Sequence, residues 1–410
     1  MPELREYQQQ VVNTIPNKWA LWFRQRVGKT PTSIRLASAR TQSCLVIVPK
    51  HIKQQWGNEI ALWNNSDTKF FVITKETFRR DYKIIGKYDG IIIDEIHRHG
   101  SNYKNLFFKA LMSYITHYNV QFIWLLSGTP YTASPWAPYS YKLILGFPVK
   151  WFDWKNKYFY DMKMGRRTIP RPKNGIESLL QQELKDIGTV IDLKDVAEVI
   201  DDYEIIEDFV LNTEQKKAIK NITDFLPIVL YTKTHQLEQG VCKGDGYTDD
   251  LVIPCDKDDR VKELAEDEDK VIIVCRYLAQ IEKYKKILVD LDKPILAISG
   301  QEKEVASIVA ARAESHDKCV LLIQSDTCDG YSLESFNTMV FASQSYSFVN
   351  LDQMKFRIKA TDKKTPCTYI YLITEGDSLD RAIHECVARK EDFSAELYGR
   401  TKTNTSSQRS

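Results

Sequence analysis

RQRVGKTPT, residues 24–32, contains a Gly-Lys-Thr whose three residue types could together hold a nucleotide's phosphates. Backbone N–H groups curling around phosphate, a lysine charge on the β and γ phosphates and a hydroxyl for Mg²⁺ are what that chemistry needs. Gly28, Lys29 and Thr30 supply them. In the usual form, Gly-x4-Gly-Lys-Ser/Thr, the place of the first glycine holds Phe23, so half of the fingerprint is missing. Trp19–Phe23 reads as a short buried strand and Thr32–Ala39 as a helix start, which gives a strand–loop–helix context. A chance tripeptide in a turn is the alternative.

A second candidate lies downstream in YDGIIIDEIHRHGS. Gly90–Ile93 is an apolar run suited to a buried parallel strand, and Asp94 and Glu95 follow at its C-terminal end, where open α/β sheets bind ligands. Asp94 could hold Mg²⁺ and Glu95 could orient and deprotonate an attacking water, although two acids capping a strand are also common. Phe122–Leu126 is a further buried strand and ends in Ser127, Gly128, Thr129 and Pro130. With a strand and helix in SCLVIVPKHIKQQW, the first 145 residues alternate as a doubly wound α/β sheet.

Around these sites, the chain has 410 residues, enough for two or three domains with cores of their own. Its 43% hydrophobic and 27% charged residues are those of a soluble globular protein. A formal charge of +2 neither favours nor excludes nucleic acid, so any basic surface must be local. Eight scattered cysteines without a C-x2-C pair favour reduced core thiols over zinc or disulfides. No stretch resembles a signal peptide or a membrane span, so a cytoplasmic location without membrane partners is expected.

Taken in order, these segments resemble the superfamily 2 helicases, and within them the Snf2-like ATPases in the compact form often carried by bacteriophages. LREYQQQ is similar to the adenine-reading glutamine motif, with Gln8 as reader, and RVGKT to motif I, which in this family regularly lacks the first glycine. LVIVPKHIKQQW and FVITKETFRRD resemble motifs Ia and Ib, DEIH motif II and SGTP motif III. DKVIIVCRYLAQIEKYKKIL, a strand and an amphipathic helix, resembles motif IV. The segment from Cys319 to Ser343 is similar to motif V, keeping Gly330 with Ser332 nearby, and SFVNLDQMKFRIKA to motif VI. In motif VI Gln353 and Arg357 match, but Phe356 replaces the glycine and Ala360 the second arginine, which puts the rate of hydrolysis in doubt.

The resemblance implies α/β architecture with two RecA-like parallel-sheet domains in tandem, a mainly helical insertion between them, and ATP with Mg²⁺ as cofactors. Expected bounds are 1–146 and 251–400 for the two domains, 147–250 for the insertion and 401–410 for a disordered tail. ATP is expected on Gln8, Gly28, Lys29, Thr30, Gly330 and Gln353, Mg²⁺ on Thr30 and Asp94, and catalysis on Lys29, Glu95 and Arg357. DNA, duplex or branched, is the expected partner, held mostly through phosphates by Pro49, Lys50, Thr74 and Ser332.

Within 147–250, FPVKWFDWKNKYFYDMKMGRRTIPRPKNG mixes aromatics with Lys and Arg. Such interleaving could stack bases and hold phosphates, or pack as a helical insertion on the first domain. The acidic run AEDED at 265–269 reads as a solvated turn before a strand. An ATP-dependent DNA translocase is the first reading. A strand-separating or branch-migrating helicase and a regulatory DNA-binding module with a weak ATPase are the others.

Overall fold

The computed structural model describes residues 2–98, 100–130, 134–164, 167–196, 201–222, 226–244, 250–302, 304–327, 330–360, 363–389 and 393. The tail expected at 401–410 lies outside them. The chain forms two compact units, Met1–Val199 and Ile200–Ser410.

The first unit runs α1 (Glu6–Thr14), β1 (Lys18–Phe23), α2 (Lys29–Arg40), β2 (Ser43–Val48), α3 (Lys53–Trp63), β3 (Lys69–Thr74), α4 (Lys75–Asp81) and β4 (Gly90–Ile93). It continues with α5 (Leu106–Tyr118), β5 (Phe122–Leu126), α6 (Ala137–Leu145), α7 (Trp151–Tyr158), β6 (Phe159–Met164), β7 (Arg167–Pro172), α8 (Glu177–Lys185) and β8 (Gly188–Ile191). Its six-stranded sheet has the order β3-β2-β4-β5-β1-β8, with every pair parallel. Because successive side chains of a strand point to opposite faces, Ala20 and Trp22 enter one core, while Leu21 and Phe23 enter the other. Helices therefore cover both faces, and the apolar runs of β2, β4 and β5 are buried throughout or nearly so.

The second unit runs β9 (Tyr203–Phe209), α9 (Thr213–Lys220), α10 (Pro227–Glu238), β10 (Val241–Cys242), β11 (Leu251–Val252), α11 (Asp256–Asp267), β12 (Lys270–Cys275) and α12 (Leu278–Ile287). It ends with β13 (Ile295–Ile298), α13 (Ala306–Ser315), β14 (Cys319–Gln324), β15 (Thr338–Phe341), α14 (Phe348–Lys355), β16 (Thr368–Thr374) and α15 (Leu379–Ala388). A second six-stranded sheet, β13-β14-β12-β15-β16-β9, is again parallel throughout. Its strands alternate in the same way, Ile272 and Val274 facing one core and Val271, Ile273 and Cys275 the other.

Two RecA-like parallel-sheet domains thus stand in tandem. The stretch 147–250 contributes α7–α10 and a β6–β7 ribbon, and also one strand to each sheet: β8 pairs with β1 and β9 with β16. That sharing is why the divide between the units falls inside the stretch. The run 265–269 differs from expectation, since Ala265–Asp267 complete α11 and Ala265 is fully buried. Lys293 Nζ closes that helix end by donating to the carbonyls of Glu266 and Glu268, at 3.1 and 2.8 Å, and so offsets acids placed at an unfavourable helix terminus.

Five of the seven described cysteines are buried, and all seven are free thiols. Among the described residues no helix is long and apolar enough to cross a membrane.

Candidate nucleotide-binding site

β1 ends at Phe23, and the chain turns through Arg24–Gly28 before α2 begins at Lys29. Val27 is fully buried, so the loop must fold inward and out again within a few residues. The left-handed conformations of Arg26 (φ 67°) and Gly28 (φ 77°) make that reversal. At Gly28 a Cβ would stand 2.2 Å from Gln8 Nε2, so the position excludes a side chain on two grounds. α1 holds the loop from behind: Tyr7 Oη donates to Val27 O (2.9 Å) and Gln8 Nε2 to Gly28 O (3.3 Å). Gln8 is itself fixed by Arg5 N, which donates to its Oε1 (2.8 Å). The loop carbonyls are thereby occupied, and the start of α2 with Lys29 and Thr30 forms the phosphate-sized end of the element.

Asp94 extends β4 by donating its N–H to Ile47 O, and Glu95 then turns left-handed at φ 47°. Trp56 Nε1 donates to Asp94 Oδ2 (2.8 Å), and Glu95 N to Asp94 Oδ1 (2.9 Å), which fixes the carboxylate plane. The buried Lys75 Nζ donates to Glu95 O (2.9 Å) and pins the strained turn. Lys29 Nζ lies 3.8 Å from Glu95 Oε1, and His97 Nδ1 lies 3.1 Å from Glu95 Oε2 and 2.9 Å from Ser127 Oγ. Ser127 Oγ also accepts from Thr129 N (3.1 Å). The ends of β1, β4 and β5 are therefore linked side chain to side chain.

Charge in this cluster is polarised. Burial, reinforced by the neighbouring Glu95 charge, pushes the Asp94 carboxyl above the usual carboxylate range. Burial would raise Glu95 as well, but Lys29, His97 and Arg98 outweigh it and hold Glu95 below the usual carboxylate range. Burial lowers Lys75 to about 8 despite the two acids, and lowers His97 also. Two adjacent carboxyls with opposite shifts suit two roles, an ionised base beside a carboxylate that gains from a cation.

Several buried polar atoms have no hydrogen-bond partner among the described residues: both amide atoms of Gln25, Thr129 Oγ1 and His97 Nε2. A Cβ on Gly128 would lie 3.0 Å from Lys29 Nζ and 3.1 Å from Gln25 Cδ, so Gly128 lets the β5 loop close on the β1 loop. Buried polar atoms cost free energy unless something pairs with them. A triphosphate with Mg²⁺ fits this set: Lys29 and the start of α2 suit phosphate oxygens, and Thr30 and Asp94 suit the cation. A bound cation would supply neutralisation of the phosphate charge.

Of the residues expected to meet nucleic acid, Pro49, Lys50 and Thr74 lie together, since Val48 and Thr74 are paired across β2 and β3. Pro49 is buried, Lys50 is exposed, and Thr74 Oγ1 caps α4 by accepting from Thr77 N (3.1 Å). In the second unit Gly330 is left-handed (φ 84°) and Gln353 is buried in α14. Arg357 Nη1 donates to Tyr331 O (2.6 Å), its guanidinium 5.4 Å from the Tyr331 ring centre. Ser332 Oγ donates to Glu334 Oε1 (2.7 Å), which places a carboxylate beside the hydroxyl expected to meet phosphate. Lys359 is paired with Asp202 and lies over the Phe356 ring.

Sequence reasoning passed over Gln25, Trp56, Lys75 and His97. Each lies inside a segment already singled out, but its role depends on contacts that local spacing does not encode.

No family model and no curated protein sequence matches this chain. Among solved structures it is similar to the Sulfolobus solfataricus SWI2/SNF2 ATPase core in complex with dsDNA. The identity is 17%, the TM-score 0.43, and the match covers 95% of this chain and 91% of that one.

Proposed function

We infer that this protein is a nucleic-acid-dependent ATPase that moves along or remodels DNA, with hydrolysis centred on Lys29, Asp94 and Glu95. The observation that carries the reading is the junction of Lys29, Glu95, His97 and Ser127 at the C-terminal ends of three parallel strands. Gln8, Gly28, Lys29 and Thr30 would hold ATP. Asp94 and Thr30 would hold Mg²⁺. Glu95, kept ionised by the nearby Lys29 and His97, would accept the proton of the attacking water. Arg357, which closely follows Gln353 in the chain and donates to the carbonyl of Tyr331 beside Gly330, is the candidate for the arginine that meets developing charge on the γ-phosphate.

The ordered resemblance of the motifs to those of Snf2-like superfamily 2 proteins supports DNA as the polymer. Lys50 and Thr74 at adjacent strand ends would contact its phosphates, with Ser332 contributing once Glu334 turns aside, whereas Pro49, buried and without an N–H, would only shape the turn that carries Lys50. Contacts of that kind predict affinity that falls by several log units per log unit of salt and hardly changes with sequence. A salt titration on DNA of fixed length and scrambled sequence tests it. Salt-insensitive, sequence-selective binding would contradict the translocase reading.

A further inference from the structure

β6 and β7 pair antiparallel from Phe159↔Pro172 to Met164↔Arg167 and join no other strand among the described residues. A bare two-stranded ribbon is marginal in water, so its position must come from its root. Phe159 stacks on Trp136 with ring centres 4.0 Å apart, and joins Tyr139, Trp154, Tyr158, Ile176 and Leu180 in a small core of its own. Trp136 packs on Tyr103 at 5.2 Å, and Trp151 Nε1 donates to Tyr103 Oη (2.8 Å). Glu183 ties the base further by accepting from Tyr158, Lys142 and Lys157. Tyr103 follows Glu95–His97 in the chain and Trp136 follows Ser127–Thr129, so the root rests on segments that leave the nucleotide-site ends of β4 and β5.

Beyond the root the ribbon presents a different surface. Tyr160, Met162 and Ile169 are 50%, 42% and 37% exposed. Directly opposed residues of an antiparallel pair share a face, and the register sets Tyr160 against Arg171 and Met162 against Ile169. One face therefore combines an aromatic ring, a thioether, an aliphatic side chain and a guanidinium. An uncovered apolar strip on a projecting element marks an interaction site, and its charge says with what. Residues 150–173 hold eight basic and two acidic residues, a formal +6, against +2 for the entire chain. Lys155 is held by Asp161 and Lys157 by Glu183, whereas Lys163 and Arg171 are exposed and form no ion pair among the described residues.

We propose that the β6–β7 ribbon is a second nucleic-acid contact, which engages unpaired bases of a single strand or fork through Tyr160, Met162 and Ile169 and the adjoining phosphates through Arg171 on the same face. Aromatic and apolar groups exposed beside cations suit bases freed from the duplex stack, because their π faces are then accessible. A protein partner could cover the apolar strip, but the local charge favours a polyanion. The inference rests on the nucleic-acid reading above and adds a place of contact and a preferred form of the polymer.

The test measures anisotropy of a labelled fork with unpaired arms and of a blunt duplex of equal length. Tyr160→Thr/Met162→Thr/Ile169→Thr removes the apolar face while keeping strand-forming residues. It is expected to weaken fork binding by about tenfold or more and duplex binding by less than about twofold. Arg171→Glu, at an exposed position, is expected to lower the log–log salt slope on the fork by about 0.7–0.9. Both variants should bind ATP as the unmodified protein does. Fork affinity and salt slope that are unchanged in both variants would overturn the proposal. So would a triple variant whose only change is lost self-association in sedimentation. Ribbon-dependent fork binding in a protein that fails to hydrolyse ATP would leave the proposal standing and remove the motor reading instead.

Discussion

Lys29 Nζ stands 3.8 Å from Glu95 Oε1, although the two residues leave strands, β1 and β4, that are separated in the sheet by β5. Gly128, just after β5, sits close to Lys29 Nζ and to the Gln25 amide, since a Cβ there would lie 3.0 Å from the first and 3.1 Å from the second and would push their tips aside. A cation from one loop thus faces a carboxylate from another, with the Gly128 backbone of the β5 loop packed beside the cation.

This pairing predicts two different kinds of failure. Lys29→Ala removes the charge that would meet phosphate and should weaken ATP binding as well as turnover. Glu95→Gln keeps size and hydrogen bonding but loses the base, so turnover should fall about 10²–10⁴-fold while ATP stays bound. Calorimetric ATP binding beside steady-state hydrolysis separates the two, and equal loss of affinity in both variants would argue against the assigned roles.

Gly28→Ala tests the loop's backbone. The left-handed φ of 77° and the 2.2 Å approach to Gln8 Nε2 together predict a loss of about 1–2 kcal/mol from conformation alone, or about 2–8 °C in Tm. Combining it with Gln8→Ala should relieve the clash but leave the conformational part. Full recovery of Tm in the double variant would show that the backbone conformation carries no strain.

In the second unit, Arg357→Ala should cut DNA-stimulated hydrolysis on the order of 10³-fold with little change in ATP affinity. Lys359 is the neighbouring cation, but its pairing with Asp202 leaves it a structural role, so Lys359→Ala should hydrolyse ATP within about twofold of the unmodified protein. Hydrolysis lost in the lysine variant and kept in the arginine variant would reverse the assignment.

The root of the ribbon has an acid limit. Burial would raise the Glu183 carboxyl, but Lys142, Tyr158 and Lys157 outweigh burial and hold it at about 2, against an ordinary 4.5. Its folded-state pKa is depressed, so the stability it contributes is present above 4.5 and is lost as pH falls toward 2. The contribution is on the order of 2–3 kcal/mol. Melts at stepped pH should show Glu183→Gln less stable than the unmodified protein at pH 7, with the gap closing below pH 4. A gap independent of pH would contradict the ionised role.

Much of the first unit was legible because its signals are local. β4 is four consecutive buried residues followed at once by Asp94 and Glu95, and β1 runs directly into Gly28, Lys29 and Thr30. β8 and β9 were not legible for the opposite reason. They are sheet edges with mixed or mostly exposed residues, Tyr203, Ile205 and Ile206 among them, and each pairs with a strand far away in the chain. Gln25 beside Gly128, Lys75 beneath Glu95 and Asp202 on Lys359 are likewise contacts over long separations. Residue type hints at such partners, but only the folded chain brings them together.

The most direct measurement is steady-state ATP hydrolysis by the full chain with Mg²⁺, with and without DNA, beside Lys29→Ala and Glu95→Gln. The predicted result is hydrolysis that DNA stimulates in the unmodified protein and that both substitutions abolish. Hydrolysis that survives Lys29→Ala and Glu95→Gln, or an unmodified protein inactive on forked, branched and duplex DNA alike, would contradict it.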